Sequence, residues 1–336
     1  MTNIITRWLI AYALGCLALG AQGYRGFFGL AKETTWGTAI AATDYIELLS
    51  ESLTTGIDRF PTRNIFNGWY EPDDYAGLRR SAGGIVHAGH PLSVGFLLKA
   101  AFTNNSISTV LSGFLYRNTY TGVKSEFADG VPRQPYTLEV FRDINSSHQY
   151  AGAMLNRLEL ALAPNQDLRC TAEGLARSQL MIAATTPTFP ASSTDPFAFD
   201  TASVQLAGAA NTRVEALSIS IENQLEGIPT LNNASTIARV RTTGPQMIRI
   251  RGTLDFPDFT EQQDFINQTE RALSLNIFKS NSFNLLVEVP RMVYSAFPVG
   301  MPGRGRLTVA FEGMARYLSS SATAIMMVIS NTKSNY

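Results

Sequence analysis

The sequence predicts a mainly β protein with minor α, built from one unit used twice in tandem. Three observations predict it. The letters EGLAR at 173–177 return 139 positions later as EGMAR at 312–316. Around both, polar and apolar residues alternate with period two, the pattern of an antiparallel strand with one buried face. The chain's 336 residues, 45% of them hydrophobic, are enough for two ordinary cores.

In register, DLRCTAEGLARS (167–178) and RLTVAFEGMARY (306–317) share five of twelve positions. Leu168, Cys170, Ala172, Gly174 and Ala176 fall on one side, and Arg169, Thr171, Glu173 and Arg177 on the other. Leu307, Val309, Phe311, Gly313 and Ala315 repeat the inward set, and Arg306, Thr308, Glu312 and Arg316 the outward one. A helix competes for the Ala-rich first stretch, but Thr308, Val309 and Phe311 favour a strand in the second. Gly174 and Gly313 sit on the apolar side, where a missing side chain signals a bend or close packing.

Each of these strands follows a partner across a turn. MLNRLELAL leads through APNQD in the first unit, and PRMVYSAF through PVGMPGRG in the second. The Gly/Pro-rich GMPGRGR lacks the Gly-Lys-Ser/Thr ending of a phosphate loop and joins two strands, so it reads as a hairpin loop.

Two further anchors keep the same order: ELLSESL (47–53) resembles EALSISI (215–221), and TLEVFRD (137–143) resembles SLNIFKS (274–280). Between them each unit has a strand-like and then a helix-like stretch. In the first these are GGIVHAG and VGFLLKAAF; in the second, QMIRIRGTLDF and FTEQQDFINQTERA. Asp258 or Thr260 is placed to cap the second helix, with Glu261 in its first turn. From Glu47 to Glu173 is 126 residues and from Glu215 to Glu312 is 97, so the first unit carries 29 extra. The surplus falls in the aromatic, Gly/Pro-punctuated stretches after Thr55 and after Phe102, and long insertions of this kind are usually functional surface. The organisation expected is an apolar extension over 1–23, a first domain over 24–178, a Pro/Ser/Thr-rich linker over 179–213, a second domain over 214–317 and a tail over 318–336, whose TAIMMVISN supplies a last strand.

The composition excludes several chemistries. Lys+Arg and Asp+Glu balance at 27 each, so sequence-independent duplex binding is not the main task. Cys16 and Cys170 are too few for a disulfide scaffold, and Cys170 reads as a small buried hydrophobe. His87 and His90 in HAGH lack the third ligand a zinc site needs, and His148 stands apart. No nucleophile elbow, zinc-protease motif or Walker loop is present, so no catalytic, metal or cofactor site is expected. Glu173 and Arg177 would share a strand face roughly 13 Å apart at about 3.3 Å per residue, too far to pair with each other. They and their counterparts Glu312 and Arg316 face either solvent or another subunit.

At GYRGFFGLAKETTWGTAIAATDYIELLSESL (23–53) the chain resembles the major tail tube proteins of long, non-contractile-tailed (siphovirus-type) bacteriophages. The pattern is an aromatic start, then Gly29, Lys32, Glu33, Thr34, Thr35, Gly37, Thr38 and Ala39, an apolar strand and SESL. AGGIVHAGHPLSVGFLLKAAF, YTLEVFRD, NRLELALAPNQDL and VEALSISIENQLEG extend the resemblance to about Tyr317. It implies two tandem tail-tube-like β-sandwich or half-barrel domains, each with a flanking helix, and no enzymatic activity. It further implies stacked rings around a channel for the genome, three chains and six pseudo-equivalent units per ring where the fold is duplicated. A closed barrel of roughly 24 strands would remove exposed sheet edges.

The partners implied are other copies of the chain, the tape measure protein inside the tube, the tail terminator, the distal tail or baseplate proteins, and viral DNA in transit without sequence-specific binding. The place implied is the virion tail, assembled in the host cytoplasm without stable membrane insertion. Candidate inter-subunit contacts are Tyr24, Phe27, Phe28, Trp36, Glu173, Arg177, Glu312 and Arg316, with local core as the competing reading for the aromatic arm. The apolar run from Trp8 to Ala21 departs from the family pattern and is short for a membrane span. A signal-like segment, a structural arm and a start-site artefact stay open for it. The signal-like reading supports the alternative of an exported β-rich surface or outer-membrane protein, which uneven strand spacing and intervening helices disfavour.

Overall fold

The alternating segments become strands in both units. The computed structural model describes residues 21–336 apart from 63–68, 71–72, 103–105, 123–132, 191–194, 257, 302–303 and 335. Cys16 and the apolar run up to residue 20 lie outside the described residues.

The first unit runs β1 (Phe27–Lys32), β2 (Asp44–Ile46), β3 (Ser50–Glu51), β4 (Thr54–Pro61), β5 (Asp74–Ala88), α1 (Val94–Ala101), β6 (Ser106–Ser112), β7 (Leu115–Thr121), β8 (Tyr136–Phe141), β9 (Ser146–Leu162), β10 (Arg169–Ala176) and β11 (Ser178–Ala183). The second runs β12 (Ala202–Leu206), β13 (Ala209–Ala210), β14 (Val214–Glu222), β15 (Leu225–Ile228), β16 (Arg239–Thr242), β17 (Met247–Asp255), α2 (Thr260–Ile266), β18 (Arg271–Ser280), β19 (Phe283–Ala296), β20 (Thr308–Ala315) and β21 (Met326–Asn331).

Pairing, not only sequence, repeats. In the first unit β9 is long enough to serve two layers. Its first half lies between β8 and β11, and its second half is flanked by β10. In the second unit β19 does the same with β18, β21 and β20. Likewise β1 joins β8 to β2 as β12 joins β18 to β13. On the other side, β5 pairs with β10 as β17 pairs with β20. Each unit therefore has an outer layer (β2–β1–β8–β9–β11, or β13–β12–β18–β19–β21) and an inner one (β3/β4–β5–β10–β9, or β14–β17–β20–β19). The two inner layers are continuous, because β9 also pairs with β14 from Arg157↔Glu222 to Leu162↔Leu217.

The core lies between the layers. Phe28, Val140 and Tyr150 from the outer layer meet Ile85, Leu158 and Cys170 from the inner one, all nearly or fully buried. Full burial of each aliphatic side chain contributes about 1.5–3 kcal/mol. VGFLLKAA folds as α1 because Leu97–Ala101 are good helix formers and the segment buries Val94, Phe96, Leu97, Leu98 and Ala101 against the core, which outweighs the poor helix propensity of Gly95. Asn223 of the second unit donates to the Ala101 carbonyl at 3.2 Å, satisfying one end of α1 from across the unit boundary. The last residues of the second unit also return to the first: Asn331 donates to the Pro91 carbonyl (2.7 Å) and the Tyr336 ring stands edge-on to Phe96. The α2 helix is more exposed. Asp258 accepts the Thr260 N–H at 2.9 Å, and Glu261 is buried against Arg213.

Two segments differ from their reading in the sequence. The stretch 179–213 is not all linker: β11 pairs with β9, and β12 pairs with β18 on one side and with β13 on the other. These strands are short and sit at sheet margins, where ladder hydrogen bonds hold a segment without a strong apolar pattern. Only the Pro/Thr/Ser-rich part between them crosses from unit to unit. The two insertions of the first unit are likewise ordered in part, as the β4–β5 and β6–β7 hairpins, and β7 crosses to pair with β21.

Candidate functional site

Burial of one side of β9, β10, β14, β17 and β20 leaves their other side as a single broad polar face. Its side chains stand in cross-strand rows. They run Arg169–Ala161–Ser218–Arg251–Glu312, then Thr171–Glu159–Ser220–Arg249–Met314, then Glu173–Arg157–Glu222–Met247. Four arginines and four glutamates lie in these rows, so the charges cancel. They are also interleaved: Arg157 meets Glu159 at 2.6 Å and Glu173 at 3.9 Å, Arg249 meets Glu222 at 3.7 Å, and Arg251 meets Glu312 at 2.8 Å. Such half-exposed pairs add at most about 1 kcal/mol each to stability. Their larger effect is to leave little unbalanced charge on the face.

The bulge beside this face is the second repeated feature. In the first unit Glu173 opposes Arg157 and Gly174 opposes Leu155, so Asn156 is an extra residue in β9. In the second, Glu312 opposes Ala296 and Gly313 opposes Tyr294, so Ser295 is extra in β19 at the equivalent point. A bulge brings the opposite strand close. A Cβ on Gly174 would stand 2.5 Å from the Met154 carbonyl oxygen, and one on Gly313 would stand 2.9 Å from the Met292 sulfur. That is the physical content of the glycines in EGLAR and EGMAR.

The two bulge residues have different surroundings. Asn156 binds the second unit: its carbonyl accepts from the Asn223 N–H (2.7 Å) and its side-chain oxygen from the Leu225 N–H (2.6 Å). Ser295 is exposed. Among the described residues the inner sheet thus ends at two open margins, the β19 side beyond Ser295 and the β3/β4 side. The latter is held firmly in place. Arg142 grips Glu51 through two hydrogen bonds (2.7 and 3.0 Å) and also donates to the Leu53 carbonyl (2.7 Å). Burial opposes ionisation of Glu51, but its hydrogen bonds from Arg142 and the Leu53 N–H prevail and hold the carboxyl below its ordinary range.

The residues singled out in the sequence fall in three places. Glu173 and Glu312 lie on the polar face, one in each unit, with the arginine partners given above. Trp36 and Arg177 come together within the chain: the guanidinium stands 5.1 Å from the indole centroid, and the indole N–H donates to the Gly152 carbonyl at 3.1 Å. Phe28 is core, and Phe27 stacks on Phe141 with centroids 5.1 Å apart. Tyr24 is exposed and lines, with Phe27, Leu49, Phe141 and Phe189, a cleft of about 690 Å³. Arg316 is exposed just past β20, its N–H bonded to the Arg291 carbonyl.

Sequence reasoning missed Arg157, Glu159, Glu222, Arg249 and Arg251. Their alternation with buried neighbours was visible, but a period-two pattern does not say which charges become cross-strand neighbours. The aromatic insertion after Thr55, read from the sequence as functional surface, forms the β4–β5 hairpin, on which Phe60, Trp69, Tyr70 and Tyr75 are all largely exposed. Among the described residues no cluster of three or more metal-ligating side chains occurs, and no helix is long and apolar enough to cross a membrane.

A family model described as phage tail tube protein matches residues 23–325 of the chain. No curated protein matches it.

Proposed function

The chain belongs to the phage tail tube protein family, a structural component of the virion tail, and from that premise we propose that its copies join head to tail into closed rings that stack as a genome conduit. The observation that carries this reading is the pair of bulge residues. Within the chain, the β9 margin at Asn156 is completed by β14 of the next unit; the same margin at Ser295 in β19 is open, and so is the β3/β4 margin at the other end. Joining the β19 margin, whose strand ends at Ala296, to the β3/β4 margin of another copy would extend between copies the kind of junction that β9 and β14 make inside one. A contact of this heterologous kind either closes or runs on as a filament.

Three copies would close the ring. Each contributes eight inner positions, giving roughly 24 strands, well beyond the 16–18 that already leave an aqueous channel. The polar face then lines the lumen. Its cancelled charges suit a conduit, because a lining that neutralised many phosphates would hold DNA instead of letting it slide. The aromatic tip of β4–β5 and the cleft at Tyr24 are the proposed ring-to-ring contacts, an exposed apolar tip and an apolar-lined receiver. The tape measure protein, the tail terminator and the distal tail proteins are the further partners of this reading.

Electron microscopy of the purified chain at high concentration tests it. Rings or hollow tubes with threefold symmetry are expected. A persistent monomer would overturn the reading, and an image with another symmetry would overturn the trimer alone.

A further inference from the structure

The outer layers of the two units differ at one margin, and that difference points to a further contact. In the second unit the outermost strand β21 is covered: β7, a strand of the first unit, pairs with it from Thr121↔Met326 to Tyr116↔Asn331. The equivalent strand of the first unit, β11, pairs among the described residues only with β9. The reason lies in the insertions. The segment joining α1 to β8 contains the β6–β7 hairpin, whereas the segment joining α2 to β18 is four residues long and has no strand to offer.

An open edge strand usually carries protection, such as a lysine, a proline or a bulge. β11 reads Ser-Gln-Leu-Met-Ile-Ala, without any of these. Leu180 and Met181 are 59% and 65% exposed. Six uncharged residues on a strand with one described pairing partner, carrying large exposed apolar side chains, form a surface that association would cover.

The topology says from which side. β10 and β11 lie on the same flank of β9, opposite the flank where β8 and β14 lie. That flank continues through β5 to the open β3/β4 margin. In the head-to-tail ring it faces the preceding copy, whose outer layer ends in β12–β13.

We propose that β11 is a second inter-copy contact, an acceptor edge covered on assembly by the β12–β13 margin of the second unit of the preceding copy. The chain provides its own precedent, since β21 is covered from the neighbouring unit in the same sense. The proposal rests on the head-to-tail reading but goes beyond it, since inner-sheet closure does not require the outer margin to be occupied. It gives each ring two kinds of outer junction in alternation, one sealed within a copy by β7 and one sealed between copies at β11.

The test uses Leu180→Cys in a full-length Cys16→Ser background, where the remaining native thiol, Cys170, is fully buried. Maleimide labelling at position 180 is expected to be fast in the free chain and at least about tenfold slower in rings or tubes formed by the chain alone. Equal labelling in rings and free chain overturns this proposal and leaves the ring reading intact. Labelling that stays fast in such rings but is blocked in complete particles also overturns it, because the cover is then a different protein. Failure to form any ring overturns the head-to-tail reading and this proposal with it. As a second measurement, Met181→Lys is expected to leave the melting temperature of the free chain unchanged and to raise the concentration needed for assembly. Unchanged assembly would count against the contact.

Discussion

The first and second units insert one extra residue at the same point of the same strand, and the two residues meet different surroundings. Asn156 ties the first unit to the second through two N–H groups, whereas its counterpart Ser295 faces solvent. The outer layers repeat the contrast, β21 being covered and β11 open. Cores differ as well. His87 of the first unit pairs across to Cys170, while the equivalent Leu254 of the second pairs across to Val309. A duplicated fold therefore keeps its pairing plan and its bulge while its margins and parts of its core diverge. The divergence falls at the margins: some are covered within the chain, and those left open are the ones we propose as contacts between copies.

The comparison is most strongly broken at the bulge glycines. Gly174→Val should destabilise the first unit by about 3 kcal/mol, because the new side chain meets a main-chain carbonyl that cannot rotate away. Chemical denaturation would read the change, and a loss below about 1 kcal/mol would show that the close approach is not maintained.

Next in size is His87. It is fully buried and neither ring nitrogen has a hydrogen-bond partner. Burial, helped by the neighbouring His90, pulls its pKa from 6.5 down to about 3. The folded chain then refuses a proton that the unfolded chain accepts. The contribution is thus fully present above pH 6.5 and is lost as the pH falls toward about 3. The loss approaches about 1.4 kcal/mol per pH unit inside that window. His87→Leu, which installs the residue type of the second unit, should remove this slope and raise stability at neutral pH by about 1–2 kcal/mol. An unchanged slope between pH 6 and 4 would assign the acid sensitivity to other groups.

A smaller effect separates the two glycines. Gly313→Ala faces a flexible thioether that can move aside, so its cost should stay near or below about 1 kcal/mol. Gly174→Ala should cost clearly more, and equal costs would dissolve the distinction. Smallest in stability is charge reversal at both Glu173 and Glu312. Each belongs to a half-exposed pair, so the free chain should lose less than about 1 kcal/mol per site. Assembly should suffer more, because two reversals per copy make the proposed lining basic. Normal tubes from the double variant would mean that those carboxylates are merely solvated.

Much of this was legible in the sequence. The alternation around EGLAR and EGMAR located β10 and β20, named their buried and exposed sides, and flagged Gly174 and Gly313 as places of close approach. VGFLLKAA announced a helix, and MMVISN a last strand. The linker was drawn too long because β11, β12 and β13 are held by ladder hydrogen bonds at sheet margins, which leave little trace in composition. Trp36 and Arg177 were noted separately, yet nothing in their spacing of 141 positions could bring the guanidinium onto the indole.

The sequence by itself determined that one β unit is used twice, which side of each strand is buried, and that the charges balance over the chain. Only the tertiary structure decided which strand lies beside which, and therefore that the charges cancel over the face as a whole, that the bulge recurs, and which margins stay open among the described residues. The reason is geometric. A period-two pattern specifies the face a residue takes, because successive side chains point to opposite sides. The neighbour across the ladder depends on register between segments far apart in the chain, and that is settled only when both are packed on the same core.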